Sequence, residues 1–196
     1  MPRSLILASS SPYRRQLLGQ LGLPFESVSP HINEAALPGE TPATLAARLA
    51  AEKARALAGT FRDALIIGSD QVADLEGKPL GKPGNREAAV AQLRESSGRR
   101  VIFHTGISVL DTGSGILRNE VDRFAVYFRK LSERQIVNYV DREQPFDCAG
   151  SFKVEGLGIA LFEKMEGSDH NSLIGLPLIR LVDLLQTFGV FPLGEP

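Results

Sequence analysis

The chain has 196 residues, 43% hydrophobic and 23% charged, with 22 Lys and Arg against 23 Asp and Glu for a formal charge of -1. That balance belongs to a globular protein, excludes disordered, collagenous and membrane-embedded classes, and lets the chain bury roughly 70% of its unfolded surface. It supplies no basic field for duplex nucleic acid, which is therefore not an expected partner.

Residues 5–8 read as a short buried strand, and Ser11 with Pro12 gives an N-cap followed by proline at the first helical position. Leu17, Leu18 and Leu21 form the apolar stripe of that helix, Gly22 stops it, and residues 24–29 form a second short strand before a loop with Asn33 and Glu34. Thr41-Pro42 repeats the cap-and-proline signal and opens an alanine-rich helix to near Gly59, with Leu45, Leu49 and Leu57 on related faces and Glu52 and Lys53 inside it. The apolar run 64–70 ends abruptly in Asp70, the pattern of a buried strand delivering a carboxylate to a sheet edge. Glycines and prolines from Gly77 to Gly84 mark turns, Asn85 caps a helix to Ser97, and residues 101–110 and 119–128 alternate as an antiparallel pair around Asp-Thr-Gly-Ser-Gly. Ser132-Glu133-Arg134-Gln135 is a capping box for a helix to about Arg142, residues 157–162 read as a further strand, and residues 177–188 as an apolar closing helix. Helices interleaved with isolated strands and a hairpin imply an α/β fold with a mixed sheet. No repeat or linker divides the chain, so residues 1–196 are expected to be one domain.

The single Cys148 forms no internal bridge, and His31, His104 and His170 are too far apart in sequence to suggest a zinc site, which fits a reducing cytoplasm. No apolar stretch reaches the roughly 18 residues of a membrane span. No signal-peptide core follows Met1-Pro2-Arg3, so a cytoplasmic protein without a membrane partner is expected. Gly77-Lys78-Pro79-Leu80-Gly81-Lys82-Pro83 has the wrong spacing for a Walker A loop, Gly156-Leu157-Gly158 lacks the third glycine of a dinucleotide fingerprint, and no G-x-S-x-G elbow is present.

What remains is a set of polar clusters at element ends. Ser9-Ser10-Ser11-Pro12-Tyr13-Arg14-Arg15 places hydroxyls, free N–H groups and two guanidiniums at a helix N-terminus, suited to a phosphate chain; a capped helix with solvated arginines is the competing reading. Asp70 sits where α/β proteins place ligand sites, against the alternative of a turn-forming Asp. Glu34 can share a divalent ion with Asp70 or simply be solvated, and Lys53 and Lys82 can neutralise phosphates or serve as surface charge. Lys153 and Glu155 share a face if their segment is extended, bordering a ligand or pairing with each other. Cys148 reads as a packed hydrophobe rather than a nucleophile, since no histidine or helix terminus activates it.

Together these segments resemble the Maf family of nucleoside triphosphate pyrophosphatases, also described as septum-formation inhibitor-like proteins. The resemblance rests on Leu5-Ile6-Leu7-Ala8-Ser9-Ser10-Ser11-Pro12, Arg14-Arg15, Glu34, Glu52-Lys53-Ala54, Ile67-Gly68-Ser69-Asp70-Gln71-Val72, Gly81-Lys82-Pro83, Ala149-Gly150-Ser151-Phe152 and Leu173-Ile174-Gly175-Leu176-Pro177. Within the family, Tyr13, Gln71 and Glu155 resemble the branch acting on 7-methyl-GTP, which often carries tryptophan where Tyr13 stands.

The resemblance implies an elongated mixed sheet flanked by helices, with two lobes around a cleft, similar to inosine triphosphate pyrophosphatases. It assigns the proton acceptor to Asp70, phosphate binding to Ser9, Arg14, Arg15, Lys53 and Lys82, metal binding to Glu34 and Asp70, and substrate specificity to Tyr13, Gln71 and Glu155. The implied cofactor is a divalent cation, magnesium by availability, with manganese or cobalt suited to the same oxygens. The implied reaction is hydrolysis of a nucleoside triphosphate to its monophosphate and pyrophosphate, and a homodimer is left open. Two other functions stay open: a nucleotide-binding interaction protein affecting septum formation, and an inosine triphosphate pyrophosphatase.

Overall fold

Side-chain caps fix where the main helices begin. In this computed structural model, which describes residues 3–195, Ser11 accepts a hydrogen bond from the Arg14 N–H and starts α1 (Pro12–Gly19) directly after β1 (Ser4–Ala8). Residues 1, 2 and 196 lie outside the described range, including the Met1-Pro2 start of the segment searched for a leader. Thr41 and Thr44 form a reciprocal capping box at the head of α2 (Pro42–Ala56), which follows β2 (Glu26–Val28). Each such cap contributes about 1 kcal/mol to its helix.

The chain continues through β3 (Ala64–Leu75), β4 (Lys78–Leu80), α3 (Arg86–Ser96) capped by Asn85, β5 (Arg100–Asp111), β6 (Leu117–Phe128) and α4 (Glu133–Glu143), whose Ser132–Gln135 capping box is present. It closes with β7 (Phe162–Glu166), α5 (Asn171–Ile174) and α6 (Leu178–Thr187). Among the described residues the strands form one seven-stranded mixed sheet in the order β2-β1-β3-β5-β6-β7, with β4 pairing β3 beyond β1.

Two sequence expectations need correction. The strand carrying Asp70 does not end there; it runs on to Leu75 because its far side is held by β5, with Asp70 opposite Gly106 and Asp74 opposite Ile102. Residues 157–161 form a 3-10 turn rather than a strand, since the chain folds back on Lys153, whose carbonyl accepts from the N–H groups of Gly156 and Gly158. The strand proper is β7, which follows it.

The long strands β3, β5 and β6 run through two lobes. One core packs Ala73, Phe103, Phe124, Val126 and Phe128 with α3, α4 and the Phe152–Phe162 edge-to-face pair. The other packs Leu5, Leu7, Leu65 and Ile67 with α1 and α6, and Ile6 and Ile66 with Ala54 of α2 and Leu57 just after it on the opposite face. The connection from β1 therefore leaves over one face to β2, and that from β2 returns over the other to β3. The C-terminal end of β1 is thus a topological switch point, where open α/β sheets form a crevice.

Candidate active site

The crevice is built by a gap in one edge of β3. This strand pairs β1 in parallel as far as Gly68 and β4 antiparallel from Ala73, so Ser69, Asp70, Gln71 and Val72 have no strand partner on that edge. A cleft of about 670 Å³ opens there, between the loop after β1 and the strand β4. Side chains alternate along a strand, so Asp70 points to the α2 face with Gly68 and Val72, while Gln71 points with Ser69 to the face covered by α5.

Two glycines bring α2 unusually close. A Cβ at Gly68 would stand 2.8 Å from the Ala54 nitrogen and closer still to the Ala50 carbonyl oxygen, and one at Gly106 would meet the Ala46 carbonyl group. The alanines of α2 are pressed onto these gaps, which lays Lys53 across the sheet. Its Nζ donates to Asp70 Oδ1 at 2.6 Å and lies 2.7 Å from Glu34 Oε1. Partial desolvation pushes the Glu34 carboxyl up, but the hydrogen bond and charge of Lys53, joined by Lys82 and Arg14, hold it below its ordinary value.

Next to this cluster lies the N-terminal end of α1. Ser9 is buried at the end of β1, and its Oγ accepts from the Ser11 N–H at 3.1 Å. Arg14 Nε donates to the Gly175 carbonyl at 2.8 Å, which Ser69 Oγ also reaches at 2.9 Å. Gly175 has φ +122, a conformation that L side chains rarely adopt, so glycine is favoured where this carbonyl receives Arg14 and Ser69. Burial lowers the Arg14 pKa, with Asp70 and Glu34 opposing the shift. Lys82 lines the same end of the cleft from the segment after β4.

The other end has the opposite character. Tyr13, Asp147, Cys148 and Glu155 all line it, and the Tyr13 hydroxyl is raised first by burial and then by its acidic neighbours Cys148, Asp147 and Glu155. Burial and Asp147 push the half-buried Cys148 thiol up to about 12, a direction opposite to that of an activated nucleophile. Gln71 donates its amide to Ser172 O at 2.6 Å, and to Thr105 Oγ1 and Leu173 O at 3.2 Å. Its Oε1 is left without a partner among the described residues.

The structure brings Ser9, Tyr13, Arg14, Glu34, Lys53, Asp70, Gln71, Lys82 and Glu155 to one cleft. Arg15 is exposed on α1 and outside the lining. Lys153 and Glu155 do not share an extended face: residues 153–156 turn, and Lys153 Nζ donates to the Glu143 carbonyl at 3.1 Å.

Three supports were not visible in sequence. Arg48 grips both oxygens of Glu40 at 2.7 and 2.8 Å and the Ala35 carbonyl at 3.0 Å, which fastens the Glu34 loop to α2; only its spacing to Glu52 hinted at a partner. Buried Asp122 accepts from Ser172 and Ser168, and so holds the turn whose carbonyls receive Gln71. Asp147 adds a second carboxylate beside Glu155.

Comparison with known proteins finds relatives over nearly the whole chain. A protein from Pseudomonas aeruginosa named 7-methyl-GTP pyrophosphatase is 55% identical over 186 residues, covering 95% of this chain and 97% of its own. Proteins of the same name from Vibrio vulnificus and a Polaromonas strain are 53% and 54% identical, covering 97% and 96% of this chain and 97% and 86% of their own lengths. The Ham1 protein of Staphylococcus aureus shares the fold at a TM-score of 0.51 and 17% identity, with 95% of this chain and 97% of that chain covered. The Maf-like protein family matches residues 4–188, nearly the whole sequence, and the chain belongs to that family.

Proposed function

We propose that this protein hydrolyses 7-methyl-GTP to 7-methyl-GMP and pyrophosphate, which removes a modified nucleotide from the pool. The observation that carries the proposal is the charge distribution in one cleft: Arg14, Lys53 and Lys82 outnumber the carboxylates of Glu34 and Asp70 that they surround, whereas Asp147 and Glu155 act on Tyr13. Methylation at N7 makes guanine cationic, so the substrate is negative at its phosphates and positive at its base, and the cleft matches both. Tyr13 offers a face to the cationic ring, a contact of about 0.5 to 2 kcal/mol. Glu155 accepts from the N1–H and amino group, and Gln71 Oε1 offers a further acceptor because its amide nitrogen is already engaged.

The donor set fits a hard divalent cation of the magnesium class. Glu34 and Asp70 already share one cation, the Lys53 ammonium, and magnesium commonly takes one or two carboxylates while substrate phosphates and water complete its shell. Bound there, such an ion would polarise the α-phosphate and ease ionisation of a nearby water. The protein's own groups account for the rest. Asp70 Oδ1 is occupied by Lys53 and its Oδ2 accepts nothing from the described residues, so Oδ2 is the oxygen that orients and deprotonates the attacking water. Arg14, held by the Gly175 carbonyl, and Lys82 stabilise the charge that develops on the phosphates during in-line displacement of pyrophosphate.

The test incubates wild type and Asp70→Asn with magnesium and equal 7-methyl-GTP, GTP, UTP, dTTP and ITP, and separates pyrophosphate from orthophosphate. Pyrophosphate with 7-methyl-GMP, at least about 100-fold slower in the variant, is expected. A preference for ITP would move the assignment to deaminated purines, and absence of turnover on all five would leave a nucleotide-binding interaction protein.

A further inference from the structure

Lys53 is a buried lysine that serves two carboxylates at once. Its side chain is 8% exposed, and Nζ lies 2.6 Å from Asp70 Oδ1 and 2.7 Å from Glu34 Oε1. Lysine at such a site has three donors and no acceptor, so the ammonium fills the space between the two acids and leaves no shared open position for another cation. Buried charges keep such pairings because an unpaired partner is costly.

The surrounding charge is already met. Arg14 acts on both Asp70 and Glu34, and Lys82 acts on Glu34, so three cations face two carboxylates. A bare divalent ion entering this cluster would meet repulsion. No group of three His, Cys, Asp or Glu side chains that could hold a metal ion exists among the described residues, so protein ligands alone do not compensate. A triphosphate changes both conditions. It remains negative with a divalent ion bound, it brings oxygen ligands of its own, and its phosphates give the lysine a new partner.

We propose that Lys53 occupies the metal position of the free protein, so that Glu34 and Asp70 take up a divalent ion only together with a triphosphate, whose oxygens draw the lysine away. The proposal rests on the pyrophosphatase assignment and adds an order of binding and a positioning role for Lys53 in it: a displaceable counter-cation that bridges the two acids until substrate arrives.

Manganese titrations followed by water proton relaxation, which is enhanced when the ion sits on a macromolecule, test this on the intact protein. The series are wild type alone, wild type with the non-hydrolysable α,β-methylene analogue of 7-methyl-GTP, and Lys53→Met alone. Expected are no enhancement for wild type alone, clear enhancement with the analogue, and nucleotide-independent binding in Lys53→Met at least about tenfold tighter than in wild type. Enhancement by wild type alone, as strong as with the analogue, would overturn the proposal while leaving the pyrophosphatase assignment intact. Absence of enhancement even with the analogue would overturn both. If Lys53→Met does not fold, the two wild-type titrations decide the question alone.

Discussion

Gly68→Ala adds a single methyl group where the close approach of α2 to the sheet leaves no room for one. The new Cβ would lie 2.8 Å from the Ala54 nitrogen, nearer still to the Ala50 oxygen, whereas ordinary contact begins at 3.4 Å. Backbone atoms of a helix cannot swing aside, so α2 must retreat by about 1 Å, an overpacking cost of about 1–3 kcal/mol. Lys53 lies one residue before Ala54, and a retreat of that size takes its 2.6 Å bond to Asp70 beyond hydrogen-bond range. Displacements of about 1 Å in catalytic geometry lower rates by about 100-fold. Urea unfolding and kcat/KM on 7-methyl-GTP, measured side by side, should therefore both fall. Gly19→Ala is the control, since a Cβ there meets nothing within 4 Å. Wild-type stability and turnover in Gly68→Ala would refute the link from glycine to helix position to Lys53.

Two further outcomes follow from titrating groups. The hydrogen bond from Arg48, then that from the Leu37 N–H, holds the Glu40 carboxyl down to about 2 against its ordinary 4.5. A depressed carboxyl stabilises the fold above its unfolded pKa and loses that contribution as pH falls towards its folded one. The urea midpoint of Glu40→Gln should thus lie below wild type at pH 7, with the gap closing between about pH 4.5 and about pH 2; a gap of constant size down to pH 2 would contradict the clamp. With its pKa raised to about 12, Cys148 should react with iodoacetamide at pH 8 about a thousandfold more slowly in the native protein than in urea. Equal rates would show that the thiol is not held in its buried environment.

Local signals were legible and non-local ones were not. Ser11, Thr41, Asn85 and Ser132 announce their helices because each cap oxygen and the N–H that donates to it lie within three residues. Asp70 is legible as a carboxylate delivered by a buried strand, but the length of that strand is not, because the unpaired stretch depends on where β1 ends and β4 begins, and both lie far away in sequence. Residues 157–161 carry apolar spacing that suits a strand as well as a turn. The decision came from Gly158, where a Cβ would meet the Lys153 backbone within 2.8 Å. The charge of Lys53 was plain in sequence, yet its partners, Glu34 and Asp70, are brought to it only by the close packing of α2. Arg48 and Asp122 were invisible for the same reason: each acts through a loop it does not belong to.

The unpaired edge of β3 also explains how one short segment serves both ends of the proposed substrate. Successive residues of an extended strand face opposite sides, so Asp70 is held among Lys53 and Glu34 over α2 while Gln71 is fixed to Ser172 and Leu173 over α5. Had β1 and β4 met, both side chains would remain, but the strand edge between them would be closed and no ligand could lie across it. In the proposed binding mode a nucleotide spans the edge at this gap, with its phosphates towards Arg14 and Lys82 and its base towards Tyr13 and Glu155. On the proposed reading, turnover and base recognition draw on two neighbouring residues of one strand, Asp70 and Gln71. On the proposed assignment, a change that frees Gln71 from Ser172 should alter base preference more than it disturbs Asp70, which Lys53 holds from the other face of the strand.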